Sequence, residues 1–158
     1  MTAKVNAAGR LSARYVLGRT TTFTAAFAGD THNAATTASR TVTSAAVVAE
    51  VLAGYYGTAH SYRLYHHTSH LDVGVAVAPN KHGECVKFEV EQFYGGAWQP
   101  DIVSGCATLN AKSTYAGYLK LSSAGIGYHY RIRADYVPGT DHANLAADSA
   151  WQYFIVAN

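Results

Sequence analysis

Charged residues are scarce in this sequence: they make up 14% of its 158 residues, and no segment concentrates Lys and Arg. The formal net charge is only +2, so binding to nucleic acid through phosphate neutralisation is not expected. No apolar run approaches the roughly eighteen residues that mark a membrane-spanning helix. Residues 1–6 also lack the apolar stretch of a signal peptide, so a secreted protein would need a removed leader or a longer chain.

Local catalytic motifs are also missing. The sequence contains no Gly-x-Ser-x-Gly, no His-Glu-x-x-His and no phosphate-binding Gly-rich loop followed by Lys-Ser/Thr. We therefore expect no enzyme activity and no cofactor. A hydrolase with a Ser/His/Asp triad assembled from distant loops stays open as an alternative, because such triads are defined by geometry and not by sequence spacing.

The composition that remains is typical of a β protein. Tyr, Thr, Ala, Gly and Ser are plentiful, 49% of the residues are hydrophobic, and no useful length of sequence has a helical period. About seven strands are predicted at the spacing of a sandwich, with 61–65 as an additional candidate and a short helix as the alternative for 45–52. The predicted strands are 47–56, 71–77, 85–94, 97–106, 117–121, 128–136 and 151–156.

The two cysteines, Cys85 and Cys106, lie at equal distances from a Gly95-Gly96 turn signal. A hairpin with this turn would place them directly opposite each other on a non-hydrogen-bonded pair, with Cα atoms about 4.5 Å apart, which suits a disulfide. A reduced pair in the cytosol is the alternative. Strict pairing would put Ile102 on the face of the cysteines, and a bulge near Pro100 would remove that conflict.

Two segments resemble parts of known Ig-like domains. The stretch Thr20–Asp30, followed by Thr41-Val42, is similar to the last two strands of bacterial Ig-like repeats, in which an aromatic-Thr-Ala-x-Phe strand ends at Gly-Asp. The stretch Ala124–Tyr130 resembles the approach to strand F of an Ig-type domain. From about residue 48 onward, the chain resembles the C-terminal module of secreted actinobacterial Ig-like repeat proteins, through Val86–Val90 and Tyr130–Tyr136.

The resemblance implies an all-β fold of two parts. An Ig-like antiparallel β-sandwich covers 44–158, and a partial three-stranded Ig-like sheet precedes it over 1–43. It also implies that Tyr128 forms a structural tyrosine corner, with Tyr130 where antibody domains carry their second cysteine. The strands of the partial sheet are predicted at 11–17, 20–27 and 39–43. Three strands cannot close a sandwich, so their edge is expected to be open.

A candidate binding surface consists of Tyr62, Tyr65, His66, His67 and Trp98. Tyrosine and tryptophan present rigid, amphipathic contact area and could stack on sugar rings. The alternative for the tyrosines is an ordinary place in the core, and Trp98 could simply form a cross-strand pair with Phe93.

No metal is expected, although the sequence offers two candidate sites. His66, His67 and His70 carry imidazoles that suit zinc or copper, but neighbouring histidines of a strand point to opposite faces, and only Asp72 adds a nearby ligand. The loop after Asp135 offers oxygen ligands for calcium, but it lacks the alternating carboxylate spacing.

A covalent amide crosslink between side chains is not expected either. It needs a lysine, an Asn or Asp and a buried acid. Lys87 and Lys120 lie on predicted strands, but the strand 128–136 offers only Asp135, which points outward.

Together these patterns predict a non-catalytic secreted or cell-surface module that acts in structural assembly or adhesion. The open edge of residues 1–43 predicts strand pairing with a second copy or another protein. The alternatives are a carbohydrate or cell-wall binding module and an enzyme inhibitor. The sequence identifies neither the ligand nor the oligomeric state.

Overall fold

The computed structural model describes residues 4–158, and this part of the chain is almost entirely β. It contains no α-helix, only a short 3₁₀ turn at Ser123–Gly125. The all-β fold class is confirmed. The strands are β1 (Thr21–Phe27), β2 (Thr36–Val42), β3 (Val47–Ala53), β4 (Gly57–Ala59), β5 (Tyr62–His66), β6 (His70–Ala78), β7 (Cys85–Tyr94), β8 (Ala97–Val103), β9 (Ala107–Thr108), β10 (Thr114–Lys120), β11 (His129–Val137), β12 (Ala147–Asp148) and β13 (Gln152–Ala157).

Two sheets form the sandwich. The smaller sheet has the order β10-β6-β3, and the larger one has the order β4-β5-β13-β11-β7-β8, with β12 beside β11 and β9 beside β7. All pairs are antiparallel except β5 with β13. Strands β3, β6 and β10 occupy the places of strands A, B and E of an Ig-type sandwich, and β7, β11 and β13 occupy those of C, F and G. In residues 4–158 no helix is long and apolar enough to cross a membrane.

The core lies between the two sheets and follows from the period-two pattern of the strands. In β11, Tyr130, Ile132 and Tyr136 point inward and are buried, while the intervening residues point outward. Strand β6 supplies the opposing wall with Leu71, Val73, Val75 and Val77. Burying a side chain of this size stabilises the fold by about 1.5–3 kcal/mol, so the alternating strands fix which face is turned inward.

The cysteine hairpin contains the bulge that resolves the conflict at Ile102. Gly95 and Gly96 have φ angles of 62° and 83°, as a two-residue type I′ turn requires. Strand β7 pairs regularly as far as Glu91 with Pro100, and then Val90 pairs with Ile102. The extra residue, Asp101, turns Ile102 to the inner face of the sheet.

The bulge changes how the cysteines meet. Cys85 pairs with Thr108 of β9, so the prediction that it lies directly opposite Cys106 is wrong. The disulfide is nevertheless formed, with the two Cα atoms 5.4 Å apart. Between β8 and β9 the ladder is irregular, because the Phe88 N–H donates to the Ser104 hydroxyl at 2.8 Å.

The N-terminal sheet has two strands, not three. The predicted strand at 11–17 has no regular secondary structure, and Tyr15 packs its ring against Phe23 with centroids 5.5 Å apart. Strands β1 and β2 pair from Thr21 with Val42 to Phe27 with Thr36. No strand of the described chain adds to this sheet, because residues 11–17 contribute a side-chain contact instead of a ladder. The division at residue 43 stays a prediction.

Both legs of this hairpin are held by the β11–β12 loop. The Thr20 N–H donates to the Ala143 carbonyl at 2.6 Å, and the Leu145 N–H donates to the Ser44 carbonyl at 2.9 Å. The residues that follow form β3, so the helix considered for 45–52 is not present.

One carboxyl group is enclosed where β3 packs on β11 and β12. Glu50 Oε2 accepts a hydrogen bond from the Ser149 hydroxyl at 2.8 Å, while Oε1 is buried with no hydrogen-bond partner. Burial raises the pKa of Glu50 to about 7.

Candidate functional site

An aromatic row crosses the outer face of the larger sheet, away from the core. It consists of Tyr62 on β5, Tyr153 on β13, Trp98 on β8 and Phe93 on β7. The ring centroids are 5.6 Å apart from Tyr62 to Tyr153, 5.8 Å from Tyr153 to Trp98 and 5.2 Å from Trp98 to Phe93. Successive rings are tilted by 56–69°, so the row is a twisted surface and not a flat one.

Arg131 on β11 connects this row to a further indole. Its guanidinium lies 4.7 Å from the ring centre of Trp98 and 4.1 Å from that of Trp151. Cation–π contacts of this kind contribute about 0.5–2 kcal/mol each. Arg131 also forms an ion pair with Glu91, the residue opposite it on β7, at 2.5 Å.

A second ion pair between β11 and β7 lies next to the first on the outer face of the larger sheet. Arg133 lies opposite Glu89, and the two groups are 2.7 Å apart. The Arg133 guanidinium also lies 4.7 Å from the Trp151 ring centre. The arginines are therefore held in place by carboxylates on one side and indoles on the other, which makes the face rigid. Aromatic and arginine side chains are the types enriched at binding interfaces.

Of the five predicted surface residues, the structure brings Tyr62 and Trp98 into this row. The prediction missed Tyr153 and Trp151. A signal for them was present, since Trp151, Tyr153 and Ile155 alternate with inward-facing residues along the last strand. The register that places Tyr153 opposite Arg131 could not be read from the sequence.

Tyr65 is not a surface residue, and its place in the predicted binding surface is wrong. It is completely buried, its hydroxyl donates to the Ala53 carbonyl at 2.9 Å, and its ring packs edge-on against Phe154. Burial raises the pKa of Tyr65 to about 12. The cause is the period-two pattern, which turns Tyr62 and Leu64 outward and Tyr65 inward.

His66 and His67 lie at the end of β5, away from the aromatic row. The exposed His66 ring stacks on Tyr56 with centroids 4.1 Å apart, and its Nδ1 lies 2.7 Å from the Asn158 carbonyl. His67 is half-buried. Within residues 4–158, no three His, Cys, Asp or Glu side chains are close enough together to hold a metal ion.

Tyr128 does not form the expected corner. It is 39% exposed, and no hydrogen bond within the described chain involves its hydroxyl, although such a bond defines the corner. Tyr128 instead lines a cleft of about 430 Å³ at the open end of the sandwich, together with Leu121 and Tyr130. The buried tyrosine at the start of β11 is Tyr130, whose ring stacks on Phe154 with centroids 5.1 Å apart.

Comparisons with protein-family models and with curated proteins found no match to this chain. The resemblance to bacterial Ig-like repeats therefore stays a prediction, although the fold is the β-sandwich which that resemblance implies.

Proposed function

We propose that this protein is a non-catalytic β-sandwich module that assembles with a second copy of itself through the outer edge of β1. The observation that carries the proposal is the state of this edge. Strand β1 has no partner on its outer side within residues 4–158, and its seven residues include no charged residue and no proline. Proteins usually protect an open edge with such residues, because unpaired N–H and C=O groups recruit other strands.

The two faces of the hairpin differ in chemistry. One face carries hydroxyl pairs, with Thr22 and Thr41 joined at 2.7 Å and Thr24 and Ser39 at 2.9 Å. The other face exposes large apolar side chains, Phe23 at 40%, Phe27 at 43% and Val42 at 36%, and it also carries Arg40 opposite Phe23. A two-stranded sheet is only marginally stable by itself, so further strands would stabilise it.

A second copy can pair with this edge so that the same face of both hairpins lies on one side of the joined sheet. Antiparallel pairing centred on Thr24 would place Phe23 of one copy opposite Ala25 of the other, and Thr21 opposite Phe27. The phenylalanines of both copies would then share one face, and the hydroxyl groups would continue on the other. Because this contact is two-fold symmetric, it closes at a dimer.

The disulfide supports an extracellular setting for this module. Disulfides persist in oxidising compartments, where secreted and surface proteins are found. Assembly or adhesion at the cell surface is therefore the setting we propose.

Light scattering after size-exclusion chromatography tests the dimer. The wild-type protein should show twice the chain mass at high concentration. Thr24→Lys should give a monomer, because the two new charges would face each other at the symmetry axis. Ser39→Lys is the matched control: it adds the same charge at the same level of the hairpin, on β2, and should leave the dimer intact. A wild-type monomer at high concentration, or equal effects of both variants, would rule out β1 pairing between copies.

A second candidate function, polysaccharide binding, is favoured by the aromatic row and Arg131. A twisted row of rings suits a single soluble polysaccharide chain better than a flat polymer surface, because each ring can stack on a different sugar. Trp98→Ala should abolish retention on gels that contain such polymers. Tyr118→Ala, an exposed tyrosine on β10, is the control and should not change retention. If the wild-type protein migrates equally far in native gels with and without the polysaccharide, the result would argue against this function.

A further inference from the structure

Lys81 is a buried amine next to two acyl groups. It lies between β6 and β7, and its side chain is only 4% exposed. Its Nζ contacts Asp141 Oδ2 and donates to Asn144 Oδ1 at 2.6 Å. Asn144 is also buried, at 3% exposure. Lysine is almost never buried to this extent without a specific partner, and an ion pair with Asp141 alone would not require the carboxamide.

The carboxamide of Asn144 is held on both sides. Its Oδ1 faces the lysine, and its Nδ2 donates to the carbonyls of Gly18 and Ser44, each at 3.3 Å. The carbonyl carbon therefore has a fixed orientation beside the amine. Positioning of this kind replaces most of the entropy cost of bringing two reacting groups together.

Asp141 is placed to accept a proton. It receives hydrogen bonds from the Tyr136 hydroxyl at 2.9 Å and from the Ala143 N–H at 2.9 Å. The contact with Lys81 holds the pKa of Asp141 below its ordinary value, so this group is a carboxylate. A carboxylate is a proton acceptor and a poor acyl donor, whereas the neutral carboxamide of Asn144 can be attacked by an amine.

We propose that Lys81 and Asn144 form a covalent amide crosslink, from Lys81 Nζ to Asn144 Cγ, with Asp141 carrying the proton. The Lys81 ammonium first gives a proton to Asp141. The neutral amine then attacks Asn144 Cγ, and an N–C bond forms. Asp141 returns the proton to Nδ2, the Cγ–Nδ2 bond breaks, and ammonia leaves. Asp141 then takes the second proton from Nζ, which leaves the neutral amide. No oxidant, reductant or other reactant is needed, and the product is a secondary amide.

The crosslink would join the β6–β7 loop to the β11–β12 loop. It therefore fastens the loop that holds both legs of the N-terminal hairpin. A crosslink was not expected from the sequence, where only Lys87 and Lys120 were considered, because Lys81 and Asn144 are 63 residues apart and neither lies on a strand.

Intact-mass spectrometry of the reduced full-length protein tests the proposal. The folded wild-type protein should be lighter than its sequence by about 17 Da, the mass of one ammonia. Peptide mapping should identify one branched peptide that contains both Lys81 and Asn144. This direct observation does not depend on any variant.

Single-residue variants test which side chains supply the amine, the carboxamide and the proton acceptor. Lys81→Met and Asn144→Ala should have the full sequence mass, and Asp141→Asn should form the crosslink much more slowly or not at all. Lys120→Met, which removes an exposed lysine, is the control and should keep the mass loss. Circular dichroism of each variant should confirm that it is folded.

Three results would overturn the proposal. One is a folded wild-type protein at full sequence mass. Another is a loss of about 18 Da, one water, which would place the bond at Asp141 instead. The third is an ammonia loss that persists in Lys81→Met, which would come from cyclisation of an asparagine elsewhere.

Discussion

Replacing Glu50 by Gln should remove a large part of the pH dependence of stability. The folded protein holds this carboxyl where β3 packs on β11 and β12, and burial raises its pKa from 4.5 to about 7. Between these two pH values the folded state binds a proton that the unfolded state has released. Stability therefore falls as the pH rises through this range, and the loss is complete above about pH 7.

The magnitude follows from the pKa. The pKa of Glu50 is about 2.5 higher in the folded state than in the unfolded state. Since one pKa unit corresponds to about 1.4 kcal/mol, ionised Glu50 lowers the free energy of unfolding at pH 8 by at most about 3 kcal/mol. Gln cannot ionise and retains an oxygen for the Ser149 hydroxyl. Glu50→Gln should therefore be more stable than the wild-type protein by about 2–3 kcal/mol at pH 8, and nearly equal to it at pH 4. Part of the slope should remain, since burial also raises the pKa of Asp135 to about 6.

Urea denaturation followed by fluorescence at pH 4, 6 and 8 measures these differences. Glu84→Gln is the opposite control, because hydrogen bonds from Gly139 and Thr140 lower the pKa of Glu84. That carboxylate stabilises the fold above its ordinary pKa and loses this effect in acid, so its removal should destabilise at pH 8 and matter least at low pH. The reasoning would be refuted if Glu50→Gln changed stability equally at pH 4 and pH 8, or destabilised the protein at pH 8.

Two further changes test the core and the disulfide. Tyr65→Phe should lower the free energy of unfolding by about 1 kcal/mol, because the Ala53 carbonyl loses its hydrogen-bond donor. Tyr65→Ala should lower it by about 3–5 kcal/mol, because it also leaves a cavity. Urea denaturation measures both values, and an effect of Tyr65→Ala below about 1 kcal/mol would contradict complete burial. Replacing Cys85 and Cys106 by Ser should lower the free energy of unfolding by about 3 kcal/mol. Comparison of the wild-type protein with and without reductant checks this value, and an unchanged midpoint would count against it.

Much of the fold was predictable because it depends on local patterns. The alternation in β11 and the Gly95-Gly96 turn gave the right strands and the right hairpin. The conflict at Ile102 also indicated the bulge, because strict pairing would have turned this side chain to the outer face. The third N-terminal strand was wrong because 11–17 has strand composition but no partner, and composition does not supply one.

The binding surfaces were harder to predict, because they depend on which strands become neighbours. Tyr62 and Trp98 are far apart in the sequence, and only the sheet order brings them to one face through Tyr153. Tyr65 was misplaced because the start of β5 sets which residues face inward, and one residue of offset exchanges the two faces. Lys81 was missed because its partners lie in a loop that has no periodic pattern.

The bond between Cys85 and Cys106 closes a covalent ring that contains the exposed hairpin tip at Gly95 and Gly96. Exposed tips of small residues are preferred sites of proteolytic cleavage. A protease that cuts the chain there would leave two pieces joined by the disulfide, and the two pieces would separate only after reduction and unfolding. This exposed tip is therefore a place where cleavage does not separate the chain.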